Sequence, residues 1–213
     1  MLKTVTPIDN SILVERKYAS KVEIETALQN SYEARKQWKE TSLSERKEVV
    51  RNFVKCFLSN NTEIVESLCK QIGRPISQCP GEMRGFEERA NYMIDNADRA
   101  LEDVVSRKDN EFDNYIKKEP LGTIFVIAPW NYPFNTSVNS IVPSLLSGNT
   151  VILKHSSQTP LCAEQLFDAA TKASMPKDIF QFLHLDHSST SKVISDPRIN
   201  HVLFTGSVSG GKE

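Results

Sequence analysis

The apolar positions change rhythm once along the chain. Up to about residue 101 they recur at helical spacing, and from residue 121 they gather into short β-branched runs. Residues 1–19 read as an arm in which Ile12 to Val14 can pair as an edge strand. Ser20, with Glu23 three residues on, forms a capping box opening a helix to about Lys39, with Ile24, Ala27, Leu28, Tyr32 and Trp38 on its apolar side. Ser42 or Ser44 caps a second helix carrying Val49, Val50, Phe53, Val54 and Phe57 at the same spacing. Thr62 caps a third, with Ile64, Val65 and Leu68 inward, ended near Gly73 and Pro75. A fourth runs from about Gly81 to Leu101 on the stripe Met83, Phe86, Ala90, Met93, Ile94 and Ala97. The many charges between these stripes read as solvated helix faces.

The second half reads differently. VVSRKDNEFDNYIKKEP, from Val104, has β-formers around a polar centre and predicts a two-stranded ribbon, which is marginal alone and needs another surface to lean on. Thr123 to Ala128 (TIFVIA) is an unbroken apolar run, as in a parallel strand covered on both faces. Pro129 and Pro133 bracket Trp130, Asn131 and Tyr132, so the chain leaves the sheet through an extended, constrained turn. A helix follows, stopped by Gly148 and Asn149. Thr150 to Leu153 is the next strand, with Lys154 at its carboxyl end. Pro160 opens a helix to about Ser174, Phe180 to Leu185 is a third strand, Ser188 to Ser195 a short helix, and His201 to Phe204 a fourth strand. This alternation predicts an α/β fold with a doubly wound, Rossmann-like parallel sheet. The chain divides into an arm with helices (1–103), a ribbon (104–120) and a sheet (121–213). It stops at Lys212-Glu213, where a further helix should begin, so the expectation is a piece of a larger domain.

Composition narrows this little. A net charge of −1 gives no electrostatic argument for nucleic acid or for a membrane surface, and no apolar stretch reaches membrane-spanning length. The four cysteines (Cys56, Cys69, Cys79, Cys162) contain no CxxC pair, so neither a zinc site nor a disulfide framework is indicated; all four read as structural thiols. The N-terminus lacks the apolar core of a signal peptide, which makes a reducing cytoplasm the expected compartment.

Three strand ends bring polar groups to one edge of such a sheet, where open α/β sheets bind ligands. After the first strand come Trp130 and Asn131; after the second, Lys154, His155, Ser156 and Ser157; after the fourth, Gly206 and Ser207. A cation beside hydroxyls suits a ribose or a phosphate, and a Gly-Ser turn offers backbone N–H groups to an anion. GxGxxG is absent, and GSVSGG imitates a glycine-rich loop only loosely. Taken singly, each of these elements is equally a loop residue satisfying its own backbone.

EPLGTIFVIAPWNYP, GNTVILKHSSQTPL and HVLFTGSVSGG together resemble the N-terminal, cofactor-binding half of an NAD(P)-dependent aldehyde dehydrogenase. The likeness extends over nearly the whole chain, and KHSSQTPL with FLHLDH is most similar to the semialdehyde-oxidising branch. The resemblance implies that Asn131 donates its side-chain amide to the substrate oxygen as it becomes an oxyanion. Ala128, Pro129, Trp130 and Asn131 itself would line the cofactor cleft, with His155 and Ser156 beside it, and Gly206 and Ser207 would hold the cofactor phosphates. Lys154 would bond the adenosine ribose. Many NAD-specific members carry a glutamate three residues after that lysine; here stands Ser157, which accommodates a 2′-phosphate and favours NADP over NAD.

Two departures matter. The family's cysteine nucleophile and glutamate base lie beyond residue 213 in a full-length member, so this chain alone is expected to be inactive. At Leu183 to Ser189 many members have a glycine-rich turn; here His184 and His187 occur, at a spacing that does not read as a metal pair. The implied full-length protein is a homo-oligomer oxidising an aldehyde. The alternative is an inactive nucleotide-binding or subunit-interaction fragment.

Overall fold

In the parallel sheet, β5 (Thr123–Ala128) pairs with β6 (Thr150–His155) on one side and β8 (Ile199–Phe204) on the other, and β7 (Phe180–Phe182) lies beyond β6, giving the order β7-β6-β5-β8. Successive side chains of a strand point to opposite faces. Accordingly Ile124, Val126, Val151 and Leu153 pack into one hydrophobic cluster, and Phe125 and Ile152 into another. The larger cluster joins the sheet to α2 (Leu43–Ser59), α3 (Asn61–Ile72), α4 (Cys79–Leu101), α5 (Pro133–Leu146) and α6 (Pro160–Lys172). The smaller one joins it to α1 (Lys21–Trp38) and α7 (His187–Ile194). Helices on both faces of a parallel sheet are the α/β arrangement that the alternating pattern predicts. The computed structural model describes residues 1–108 and 111–213. No helix among them is long and apolar enough to cross a membrane.

Local chemistry explains most element ends. The expected Ser20–Glu23 capping box is present, and Ser42 rather than Ser44 caps α2 through the same reciprocal pair with Glu45. Gly73, at φ 69°, ends α3 in the left-handed region. Trp38, buried at the end of α1, donates its indole N–H at 3.1 Å to the Leu145 carbonyl, which also accepts from Gly148 N–H at the end of α5.

The structure corrects several boundaries. Thr62 does not cap α3, because Asn60 ends α2 and starts α3 at once. Helix α4 begins at Cys79 rather than Gly81, since Pro80 in the first turn has no N–H to leave unpaired. Strand β7 stops at Phe182 instead of reaching Leu185, because the His184 carbonyl accepts from Ala19 N–H at 2.8 Å and is drawn out of the ladder. The arm holds two strands where one was expected: β1 (Leu2–Val5) pairs antiparallel with β2 (Ile12–Arg16), burying Leu2 and Val14. β3 (Val104–Lys108) and β4 (Asp113–Ile116) form the expected ribbon, exposed along its length; the centre of the expected turn, at 109 and 110, lies outside the described residues.

Candidate functional site

The ladder register brings three strand ends level. Ile127 pairs with Lys154 and with Phe204, and Ala128 pairs with His155. The strand order also reverses beside β5, since the chain runs outward through β6 and β7 and returns for β8. A crevice opens at such a reversal. It is a groove of about 730 Å³, lined by Ala128, Pro129, Trp130 and Asn131 from the first strand end, by Lys154, Ser156 and Ser157 from the second, and by Gly206, Ser207, Gly210 and Gly211 from the last. Of the sequence-nominated residues, all but His155 face it.

His155 points the other way. It shares a face of β6 with Val151 and Leu153 and is buried beneath α5 and α6. Its Nδ1 accepts from Ser156 N–H at 3.0 Å and lies 2.9 Å from Thr159 Oγ1, so the ring proton belongs on Nε2, which lies 3.3 Å from Ser137 Oγ and 3.4 Å from the Pro133 carbonyl. The ring braces β6 against the α5 start, and the expected cofactor contact is corrected to this structural one. Burial lowers its pKa from 6.5 to about 4. An unfolded chain takes up this proton below pH 6.5 and the folded chain does not, so the stability is complete above 6.5 and is lost as pH falls towards 4. The loss should run at roughly 1.4 kcal/mol per pH unit inside that window. Urea unfolding from pH 7 to 4 should show a slope about one proton steeper for the wild type than for His155→Gln; equal slopes would refute the assignment.

Lys154 faces the groove half-buried, and burial lowers its pKa from the usual lysine value. It is the one lysine or arginine among the described residues lining the groove, and the one lining carboxylate residue is Glu213. Ser156 Oγ accepts from Gln158 N–H at 3.2 Å, and the Ser157 carbonyl accepts from Thr4 Oγ1 at 2.7 Å, which ties this loop to β1. On the far side, Ser207 Oγ accepts from Gly210 N–H at 3.1 Å. A Cβ at Gly206 would lie 2.5 Å from the end of the exposed Phe204 ring, so a larger residue there requires that ring to shift.

Asn131 stands exposed in the turn between β5 and α5. Its Oδ1 accepts from Tyr132 N–H at 3.1 Å. An N–H must meet an oxygen, so the amide orientation is fixed and Nδ2 remains as the donor. Trp130 beside it is 53% exposed.

Sequence reasoning missed one wall of the groove and one support. His187, Thr190, Ser191 and Ile194 line it from α7, and Ile194 proves to be exposed there. Behind the Asn131 turn, Arg74 and Glu82 form an ion pair at 2.6 Å with Glu82 fully buried. Glu82 lies four residues before Phe86 on the apolar stripe of α4, a charge in a core register. The cysteines stay out of the groove. Cys79 and Cys162 are buried with their thiol pKa values pushed up by burial, and Cys56 and Cys69 are half-buried on helices. His184 meets Glu164 at 2.9 Å while His187 faces the groove, and among the described residues no cluster of three or more metal-ligating side chains occurs.

An NAD(P)+ succinate semialdehyde dehydrogenase of Escherichia coli K12 is 28% identical over 98% of the chain and 45% of its own length. An NADP+ D-glyceraldehyde dehydrogenase of Picrophilus torridus is 26% identical over 99% of the chain and 43% of its own length. The crystal structure of a succinic semialdehyde dehydrogenase from Streptococcus pyogenes, in complex with NADP+, superimposes with a TM-score of 0.93 at 24% identity, over 100% of this chain and 47% of that one. The chain thus spans less than half the length of these relatives. Residues 1–213 match the aldehyde dehydrogenase family throughout, and the chain belongs to that family.

Proposed function

We propose that this chain is the cofactor-holding half of an enzyme that oxidises an aldehyde, a semialdehyde in the first instance, with NADP+ preferred to NAD+. The observation that carries the reading is the half-buried Lys154, which makes no hydrogen bond or ion pair among the described residues and lines the groove with Ser156 and Ser157. That donor set fits a phosphorylated ribose: an ammonium and two hydroxyls attract a 2′-phosphate, and a glutamate at position 157 would repel it. Backbone N–H groups around Gly206 and Ser207 suit the pyrophosphate. When bound, the cofactor supplies the hydride acceptor. The chain's own contribution to the chemistry is Asn131, whose Nδ2–H would donate to the aldehyde oxygen as negative charge develops there.

The names of the relatives support a semialdehyde, since succinate semialdehyde dehydrogenases recur among them. No cysteine lines the groove, so the nucleophile must come from outside these residues, and the 213 residues by themselves should form no NADPH from aldehyde and NADP+. The helices of 1–103 brace the groove, and the exposed ribbon of 104–120 supports association with a second copy.

Titration with NADPH and NADH, followed by quenching of Trp130 emission against a Trp130→Phe control, tests the reading. NADPH should bind more tightly than NADH. Lys154→Met should weaken NADPH by about 10- to 100-fold, the range expected for hydrogen bonds to a charged group. Ser157→Glu should reverse the preference. No change in emission at millimolar cofactor would exclude the groove as a nucleotide site.

A further inference from the structure

The turn that presents Asn131 is held from behind by a buried ion pair. Glu82 lies on α4 with its carboxylate wholly out of water. Its Oε1 accepts from the backbone N–H groups of Phe134 at 2.9 Å and Asn135 at 3.4 Å, in the first turn of α5. Helix α5 has no cap from its own chain segment, because Tyr132 at the N-cap position contributes no side-chain hydrogen bond. Glu82 therefore caps α5 from a neighbouring helix, where a carboxylate also complements the positive end of the helix.

Its other oxygen, Oε2, accepts from Arg74 Nη1 at 2.6 Å. Arg74 follows Gly73 in the loop between α3 and α4, and its Nη2 donates to the Asn131 carbonyl at 2.5 Å. The same guanidinium stacks on the Tyr132 ring, 4.5 Å from its centroid. One planar group thus grips the carboxylate, the backbone of Asn131 and the ring of the next residue, which the fork of an arginine can do and an ammonium cannot. Burying two charges costs several kcal/mol per ion before their attraction is counted, and an apolar pair would fill the same space. Such a pair is a poor means of stabilising a fold and a good means of fixing one geometry.

Neither residue lines the groove. The geometry points to Arg74 and Glu82 as positioning residues that fix the Asn131 amide in its donating orientation, acting through the turn without touching substrate. The Asn131 carbonyl is held by Arg74 and its Oδ1 by Tyr132 N–H, so both oxygens of the residue are anchored while Nδ2 is left to donate. This rests on the reading of Asn131 as the oxyanion donor given above.

The test is a double-mutant cycle on the complete protein, combining Arg74→Met and Glu82→Gln in turn with Asn131→Ala. Each single variant should lower kcat by about 10- to 100-fold, as displacement of a reacting group by an ångström does. The KM for cofactor should stay within about twofold, because Lys154 and the Gly206 turn are untouched. In the Asn131→Ala background the further loss should disappear, since there is no amide left to position. The same loss in both backgrounds would mean a general structural role and would overturn the proposal, as would an unchanged kcat in the single variants. Should Asn131→Ala alone leave kcat intact while Arg74→Met lowers it, the oxyanion reading fails independently. Arg74→Lys keeps a charge beside Glu82 and guards against misfolding of the harsher variants; it should fold, with an unchanged urea midpoint, and still lose at least about fivefold in kcat because it cannot also hold the turn.

Discussion

Asn131→Ala in the complete protein is expected to lower kcat by about 10²- to 10³-fold, or roughly 3–4 kcal/mol of transition-state stabilisation. The size follows from the role proposed for the amide. A neutral donor already oriented before charge develops costs no reorganisation at the moment of reaction, and it does not titrate across the working pH range. In the structure the orientation is fixed by Tyr132 N–H on Oδ1 at 3.1 Å, so removing the side chain deletes the donor without disturbing the turn, whose backbone is held by Arg74. Cofactor affinity should therefore be unchanged, because Lys154, Ser157 and Gly206 lie on other strand ends. Asn131→Asp is the sharper comparison: it is nearly isosteric, but as a carboxylate it offers no donor and repels an oxyanion, so its kcat should fall at least as far. Steady-state kinetics with the aldehyde saturating, beside NADPH titration of each variant, separate the two effects. A kcat within about threefold of wild type for either variant would remove Asn131 from this role.

The residues that the sequence made legible are those whose partners lie close along the chain or repeat with a simple period. The capping box of Ser20 and Glu23 is complete within four residues. The TIFVIA and TVIL runs announce buried parallel strands, and parallel pairing with a level register then brings Asn131, Lys154 and Gly206 to one groove. The period of two was even sufficient to turn His155 away, since it shares parity with Val151 and Leu153. Its place in the polar run at the end of the second strand drew it into the site with its neighbours, and strand geometry puts it under α5. What could not be read were contacts made across long separations by single atoms. Arg74 meets Asn131 across 57 residues, and Ala19 draws out the end of β7 through one backbone bond to His184. No periodicity encodes such meetings. Glu82 alone left a trace, as a charge in the register of an apolar stripe, and a helical wheel has no way to name the helix end it caps.

The helix packed against that stripe, α2, carries the largest expected loss of stability. Phe57→Ala should cost about 3–5 kcal/mol, a large share of the 5–15 kcal/mol that holds a typical domain folded. Phe57, on α2 and 1% exposed, has its ring centroid 4.5 Å from that of Phe86 on α4 and 5.0 Å from that of Phe134 in the first turn of α5. Phe86 and Phe134 are themselves fully buried, so neither can reach water to relieve a void, and three helices would have to move together to fill it. Truncation removes the transfer energy of the ring, leaves a cavity, and breaks two aromatic contacts at once. Phe57→Leu keeps most of the volume and should lose markedly less. The consequence reaches the site, because Phe134 is the residue whose N–H Glu82 caps, three positions from Asn131. Urea unfolding of the two variants measures the first effect, and Trp130 emission in the folded alanine variant reports the second, since the turn carrying it begins where Phe134 is anchored. A cost below about 1 kcal/mol for Phe57→Ala would show that the three helices repack freely, and the rigidity from which the Asn131 turn derives its geometry would then have to come from Arg74 and Glu82 alone.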